Sequence, residues 1–186
     1  MSKTVLKRIS MTLDPQSIEK AIQEVEQFKT TLENICVELV KKLIEDGVNV
    51  ARIFVTSMGA VDTGELADSF QAVYFPEEHC GVVFTDCPHA LYVEFGTGIV
   101  GAQAEEGDAH PLAEKLGWDY DVNQHGEAGW WYPAPFGWYV PKDGDGKALA
   151  WTKGMQPRPY MYKTFQALKE MAKTRIVEVL NSTNGG

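Results

Sequence analysis

Cys80, Cys87 and His89 place two sulfurs and an imidazole close together in the chain, and these are donor types that zinc accepts. Their C-x6-C-x-H spacing matches no common zinc finger, and a fourth ligand would have to come from His79, His110 or His125. Strand and turn roles account for the same residues, with Cys80-Gly81 in a strand and Cys87-Pro88 in a turn. A second constellation centres on Glu94, the single acid in the apolar run Ala90-Leu91-Tyr92-Val93-Glu94-Phe95. An unpaired carboxylate in such a run is costly. General acid–base catalysis would need a second titratable group around the same substrate, and Asp86 and His89 are nearby in sequence. Two other roles compete with catalysis. One is an ion pair with Arg158, which Pro157 and Pro159 hold in extended backbone. The other is capping of the N–H groups that open the last helix. The expected pairing of Glu94 with Arg158 would lock the Gly96-Thr97-Gly98 turn against that helix. The chain has no P-loop, dinucleotide fingerprint, nucleophile elbow or His-Glu-x-x-His segment. The expectation is therefore a protein that is not an enzyme, with no catalytic residue, no metal and no cofactor.

The elements that must position these residues can be read from periodicity. Asp14-Pro15 is a helix start, with Asp14 as cap and Pro15 in the first turn. Apolar residues then recur at Ile18, Ile22, Val25, Phe28, Leu32, Ile35, Leu39 and Leu43, which is helical spacing. This predicts one helix over 14–57, or two in series broken near Thr30-Thr31 or Gly47. A helix of about 40 residues would be roughly 60 Å long, more than a small domain covers with its own core. Its flanks are expected to meet other subunits or to lie against an extended surface. Asp62-Thr63-Gly64-Glu65 has capping-box spacing and predicts a helical turn from Thr63 to Asp68. Phe70–Phe75 and Gly81–Thr85 are β-rich and read as an antiparallel hairpin, so 62–98 holds turn, hairpin and glycine turn. Residues 99–129 lack periodicity and read as a long surface excursion. An aromatic hairpin is expected over 130–156, pairing Gly137–Val140 with Ala148–Thr152 around Asp143-Gly144-Asp145-Gly146. A final helix over 157–183 would bury Met161, Phe165, Leu168, Ala172, Ile176 and Leu180. Long helix, antiparallel sheet and closing helix make a single-domain α+β fold.

Composition narrows the function. Residues 53–141 carry 14 acidic side chains and one basic residue, Lys115, within a net charge of −9. A nucleic-acid clamp needs the opposite balance; the acidic stretch reads first as a solvated face that keeps the protein soluble, and second as a wall past which DNA slides without sticking. Three cysteines give an odd count and suit free thiols in a reducing cytoplasm. No run approaches the roughly 20 apolar residues of a membrane span, and the first ten residues lack the apolar stretch of a secretory signal. Trp118, Trp130, Trp131, Trp138 and Trp151 form a cluster. They are expected to serve as the core of the second hairpin or as an exposed contact surface.

Three segments together resemble a family of phage morphogenesis proteins, the gene-product-ten-like tail components of long-tailed bacteriophages, in the variant seen with Gram-positive hosts. The first is Asp62-Thr63-Gly64-Glu65-Leu66-Ala67-Asp68-Ser69, following a long helix. The second is Tyr92-Val93-Glu94-Phe95-Gly96-Thr97. The third is Gly154-Met155-Gln156-Pro157-Arg158-Pro159-Tyr160-Met161, in which Tyr160 stands where Phe is commoner. The resemblance implies a virion component of the neck, a head–tail joining or tail-completion protein. It would form a homo-oligomeric ring, contact neighbouring neck and tail proteins, and let DNA pass without specific binding. It implies no membrane association and residence in the host cytoplasm before assembly. The 99–129 excursion departs from the family pattern. Two other readings stand beside this one: a metal-dependent hydrolase using Cys80, Cys87 and His89, and a small host-interaction protein binding through the aromatic segment.

Overall fold

The computed structural model describes residues 9–60, 64–133 and 148–183. Helix α1 spans Pro15–Ser57, 43 residues. Asp14 caps it by accepting a hydrogen bond from the Ser17 N–H at 2.9 Å. The Thr12 hydroxyl and that N–H together hold the Asp14 carboxyl below its usual range. The helix runs unbroken through both expected break points. Thr30 and Thr31 turn their hydroxyls back onto the Glu26 and Gln27 carbonyls at 3.1 and 2.9 Å, an arrangement a helix tolerates. A short turn α2 (Glu65–Asp68) leads into strands β1 (Phe70–Phe75) and β2 (Cys80–Thr85), which form the expected hairpin. Asp62 and Thr63 lie outside the described residues.

The run Ala90–Phe95 is a helix, α3, and α4 (Gly98–Ala102) and α5 (Ala113–Leu116) follow. Strands β3 (Trp130–Pro133) and β4 (Leu149–Thr152) pair antiparallel, with Trp131 opposite Trp151. The second hairpin therefore exists, but β4 pairs with Trp130–Pro133. The expected partner Gly137–Val140 and the turn at 143–146 lie outside the described residues. The short strand β5 (Gly154–Met155) and helix α6 (Tyr160–Thr183) complete an α+β fold.

The chain forms two compact units. One comprises residues up to Val50, Gln71–Phe84 and those from Phe165 onward, and the other comprises Ala51–Phe70 and Thr85–Thr164. In the first unit the hairpin lies directly on α1. A Cβ added at Gly81 would come within 2.5 Å of the Ile44 side chain, and one at Gly47 within 2.8 Å of Val83. These glycines let sheet and helix backbones approach closely. Asp46 binds Arg175 through two parallel hydrogen bonds of 2.7 and 2.9 Å, the fork geometry of a strong guanidinium–carboxylate pair. Much of the expected α1 stripe stays open: Ile18, Ile22, Val25 and Leu32 are 38–55% exposed. On α6 the most buried residues are Tyr160, Thr164 and Val179, while of the expected face Met161, Leu168, Ala172 and Leu180 are half-buried and Phe165 and Ile176 are exposed. The spacing of apolar residues alone could not find these three, because one is a threonine that bonds its own helix.

The second unit is built around Ala51, Val55, Leu66, Phe70, Val93, Phe95 and Tyr160, all buried. Phe70 meets Tyr160 edge to face, with ring centroids 5.7 Å apart. The stretch expected as a surface excursion returns to this core, since Gly101, His110 and Ala113 are buried.

Candidate functional site

Glu94 is 4% exposed, and its carboxylate is met by three donors. Oε2 accepts the N–H of Met161 at 2.8 Å, and Oε1 accepts the N–H of Tyr162 at 2.9 Å. Both donors lie in the first turn of α6, where helical N–H groups lack internal partners and the helix dipole favours an anion. The buried His110 Nε2 lies 2.9 Å from Oε1. His110 Nδ1 accepts the Leu112 N–H at 3.1 Å, so Nε2 carries the proton and donates it to Glu94. His110 also packs against the Phe95 ring at 4.0 Å.

The expected ion pair with Arg158 does not form, and the capping alternative holds. The Arg158 backbone N–H bonds the Val93 carbonyl at 2.9 Å, which holds the Pro157-Arg158-Pro159 corner against α3. Helix N–H groups next to Glu94 need no desolvated guanidinium and no ordered long side chain. Neither Asp86 nor His89 is among the hydrogen-bond partners of Glu94 described here; the histidine that meets it is His110. Sequence reading considered His110 only as a distant metal ligand. A lone histidine before Pro111 in an aperiodic stretch gave no periodic signal of burial.

The glycine turn joins the same region. Thr97 pairs with Met155 and Gly98 with Gly154 as antiparallel bridges, and the Thr97 hydroxyl oxygen accepts the Met155 N–H at 3.2 Å. Gly96 takes φ 80° and Gly154 φ 112°. Tyr160, 1% exposed, donates its hydroxyl to the Ala90 carbonyl at 3.0 Å. Leu66 is buried beneath α2, and the Ser69 and Thr85 hydroxyls lie 2.5 Å apart. The second and third segments thus meet directly, and Phe70, the residue after the first segment, packs on Tyr160 of the third. Burial and the Glu94 charge push the Tyr160 phenol above its ordinary value of 10. A raised pKa in the folded state gives stability that is complete below pH 10 and declines as the unfolded phenol ionises above it. Tyr160→Phe should cost about 1–2 kcal/mol at neutral pH by stranding the Ala90 carbonyl. It should also flatten the alkaline decline, and urea unfolding between pH 7 and 11 checks both effects.

The tryptophans divide. Trp118 donates its indole N–H to the Gly96 carbonyl at 3.1 Å and stacks on Phe95 at 4.8 Å. Trp130 stacks on His125 at 4.5 Å. Trp131 and Trp151, cross-strand neighbours at 5.2 Å, are each 48% exposed. Trp138 lies outside the described residues. A cleft of about 620 Å³ is lined by Tyr92, Tyr120, Trp130 and Tyr132, with Asp121 and His125 on its polar side. The Gly126 and His125 N–H groups hold the Asp121 carboxyl below its usual range.

Of the proposed zinc ligands, Cys87 and His89 come together and Cys80 is not among the group. Among the described residues the cluster able to hold a metal is Glu65, Cys87 and His89, with one donor atom from each within 4.8 Å of the others. Cys80 is exposed on β2, where strand alternation sets its direction. Burial pushes the Cys87 thiol up, and the Glu65 and Asp86 charges add to the shift.

Among the described residues no helix is long and apolar enough to cross a membrane. No family model, curated protein or solved structure matches the chain.

Proposed function

We propose that this protein is a structural component of the neck of a long-tailed bacteriophage, a head–tail joining or tail-completion subunit that works as a homo-oligomeric ring. The observation that carries the reading is the direct meeting of the second and third family-like segments in one packed corner, with Phe70, which follows the first segment, packed on Tyr160. There Glu94 is consumed by three hydrogen bonds from His110 and α6. Such a corner accounts for those residues as architecture, with both carboxylate oxygens of Glu94 already hydrogen-bonded within the fold.

Exposed surface supports an assembling subunit. Ile18, Ile22, Val25 and Leu32 leave an apolar stripe on α1, beside a depression of about 420 Å³ that includes Phe28, Cys36 and His79. Trp131 and Trp151 form a second exposed apolar patch. Patches of this kind mark protein contacts. A closed ring needs two different patches on each subunit, and these are the two we assign to it. The acidic 53–141 segment would repel phosphate and keep a passing duplex from adhering.

Phage lacking the gene should accumulate DNA-filled heads and separate tails, or tails with faulty ends. Electron microscopy of lysates and complementation by the intact gene would test this. Normal yields of joined, infectious particles from the deletion would overturn the reading.

A further inference from the structure

We propose that Glu65, Cys87 and His89 form a binding site for one zinc(II) ion. The three side chains come from separate parts of the second unit. Glu65 opens α2, Cys87 follows β2, and His89 precedes α3. The fold brings a carboxylate oxygen, a sulfur and an imidazole nitrogen within 4.8 Å of one another.

The spacing suits a shared ion. Zinc bonds of about 2.3 Å to sulfur and 2.0–2.1 Å to nitrogen, at a tetrahedral angle, hold those atoms roughly 3.5 Å apart. Both His89 ring nitrogens lie 3.3 Å from the Cys87 sulfur, so the sulfur faces the exposed ring, which must rotate about its side-chain torsions to aim one nitrogen at a shared ion. The rigidity a metal site needs is also present. The Cys87 N–H bonds the Thr85 hydroxyl oxygen at 3.1 Å, and that hydroxyl meets Ser69. The Cys87 carbonyl accepts the Ala90 N–H at 3.0 Å, and the His89 carbonyl accepts the Val93 N–H at 3.1 Å. Backbone on both sides of the ligands is therefore fixed, as is common around metal sites.

The donor set selects the ion. Magnesium and calcium favour oxygen throughout, whereas one thiolate, one imidazole and one carboxylate suit zinc. Three protein ligands leave a fourth position for water. A direct sulfur–imidazole hydrogen bond is the competing account of the 3.3 Å contact, and it makes no use of Glu65.

Purified full-length protein, stripped with a chelator and titrated with zinc(II), should bind one ion per chain by calorimetry and elemental analysis. Cobalt(II) in its place should give a sulfur-to-metal charge-transfer band and visible bands of tetrahedral intensity. Cys87→Ala should remove the charge-transfer band. His89→Ala and Glu65→Gln alter exposed side chains, so they keep the test decisive if the buried Cys87 variant fails to fold. Each should weaken zinc binding at least about tenfold, since disturbing even the outer shell of a site costs that much. Cys36→Ser and Cys80→Ser should leave uptake unchanged. The proposal is overturned by no stoichiometric uptake, by a cobalt spectrum without the sulfur band, or by unchanged affinity in the His89 and Glu65 variants. The test uses no phage particles, so its outcome is separate from that of the neck reading.

Discussion

Replacing Glu94 by alanine should lower the unfolding free energy by about 3–5 kcal/mol, a large share of a typical domain's total. The substitution strands the Met161 and Tyr162 N–H groups and the His110 Nε2–H, which all converge on this carboxylate. Hydrogen bonds to a charged acceptor are the strong kind, and buried donors left without one bear their desolvation cost in full. For a chain of this size the loss corresponds to a melting temperature roughly 6–20 °C lower. Glu94→Gln should cost less than Glu94→Ala but more than nothing, because its amide keeps one acceptor oxygen and turns an NH2 group toward other donors. Arg158→Met should cost much less, since that side chain is half-buried and its described bond is made by the backbone. Urea unfolding followed by circular dichroism would rank the three. A Glu94→Ala loss under about 1 kcal/mol, or one matched by Arg158→Met, would show that the cap is not what holds α6 to α3.

Gly154→Ala should be the second severe substitution, with a loss of about 2–4 kcal/mol. Its Cβ would lie 1.9 Å from the Thr97 carbonyl oxygen and 2.6 Å from the carbonyl carbon, at φ 112°. Backbone cannot yield as a flexible side chain would, so the bridge between the glycine turn and β5 must open. Gly117→Ala separates strain from collision. Gly117 has φ 64° and nothing within 4 Å of a new Cβ, and a left-handed alanine alone costs about 1–2 kcal/mol. Thermal unfolding of both variants checks the contrast. Equal losses would mean that the close approach to Thr97 contributes nothing.

How much of this was legible in the sequence depends on how local the signal was. The α1 helix, the β1–β2 hairpin and the proline-led start of α6 carry their own instructions in periodicity, β-branching and φ restriction. Ala90–Phe95 carries an ambiguous one, because two aromatics and a valine fit a strand as well as a turn of helix. What settles it is long-range, with Tyr160 bonding Ala90 and Arg158 bonding Val93. The fate of Glu94 was half legible. Its need for partners followed from its apolar neighbours, and the helix start was one of two candidates considered. His110 was not legible, because it lies 16 positions beyond Glu94 across a stretch without clear periodicity. The Glu65, Cys87 and His89 group was missed in part for the same reason: Glu65 joins the other two only through folding. The α6 face was misread in part because Thr164, a polar residue, is 2% exposed.

The cap on α6 also sets an order of events during synthesis. Glu94 and the Met161 N–H it accepts are 67 residues apart. At about 5–20 residues per second, the ribosome takes roughly 3–13 s to add the intervening chain. Throughout that interval α3 has been made but its acceptor has no helix to cap, and the Ala90 carbonyl awaits a tyrosine 70 residues away. Helices relax in about a microsecond, so α1 can form long before this corner closes. Late closure leaves the apolar side of α3 without its final partner for seconds on each nascent chain, and those seconds are when a holding chaperone would find it.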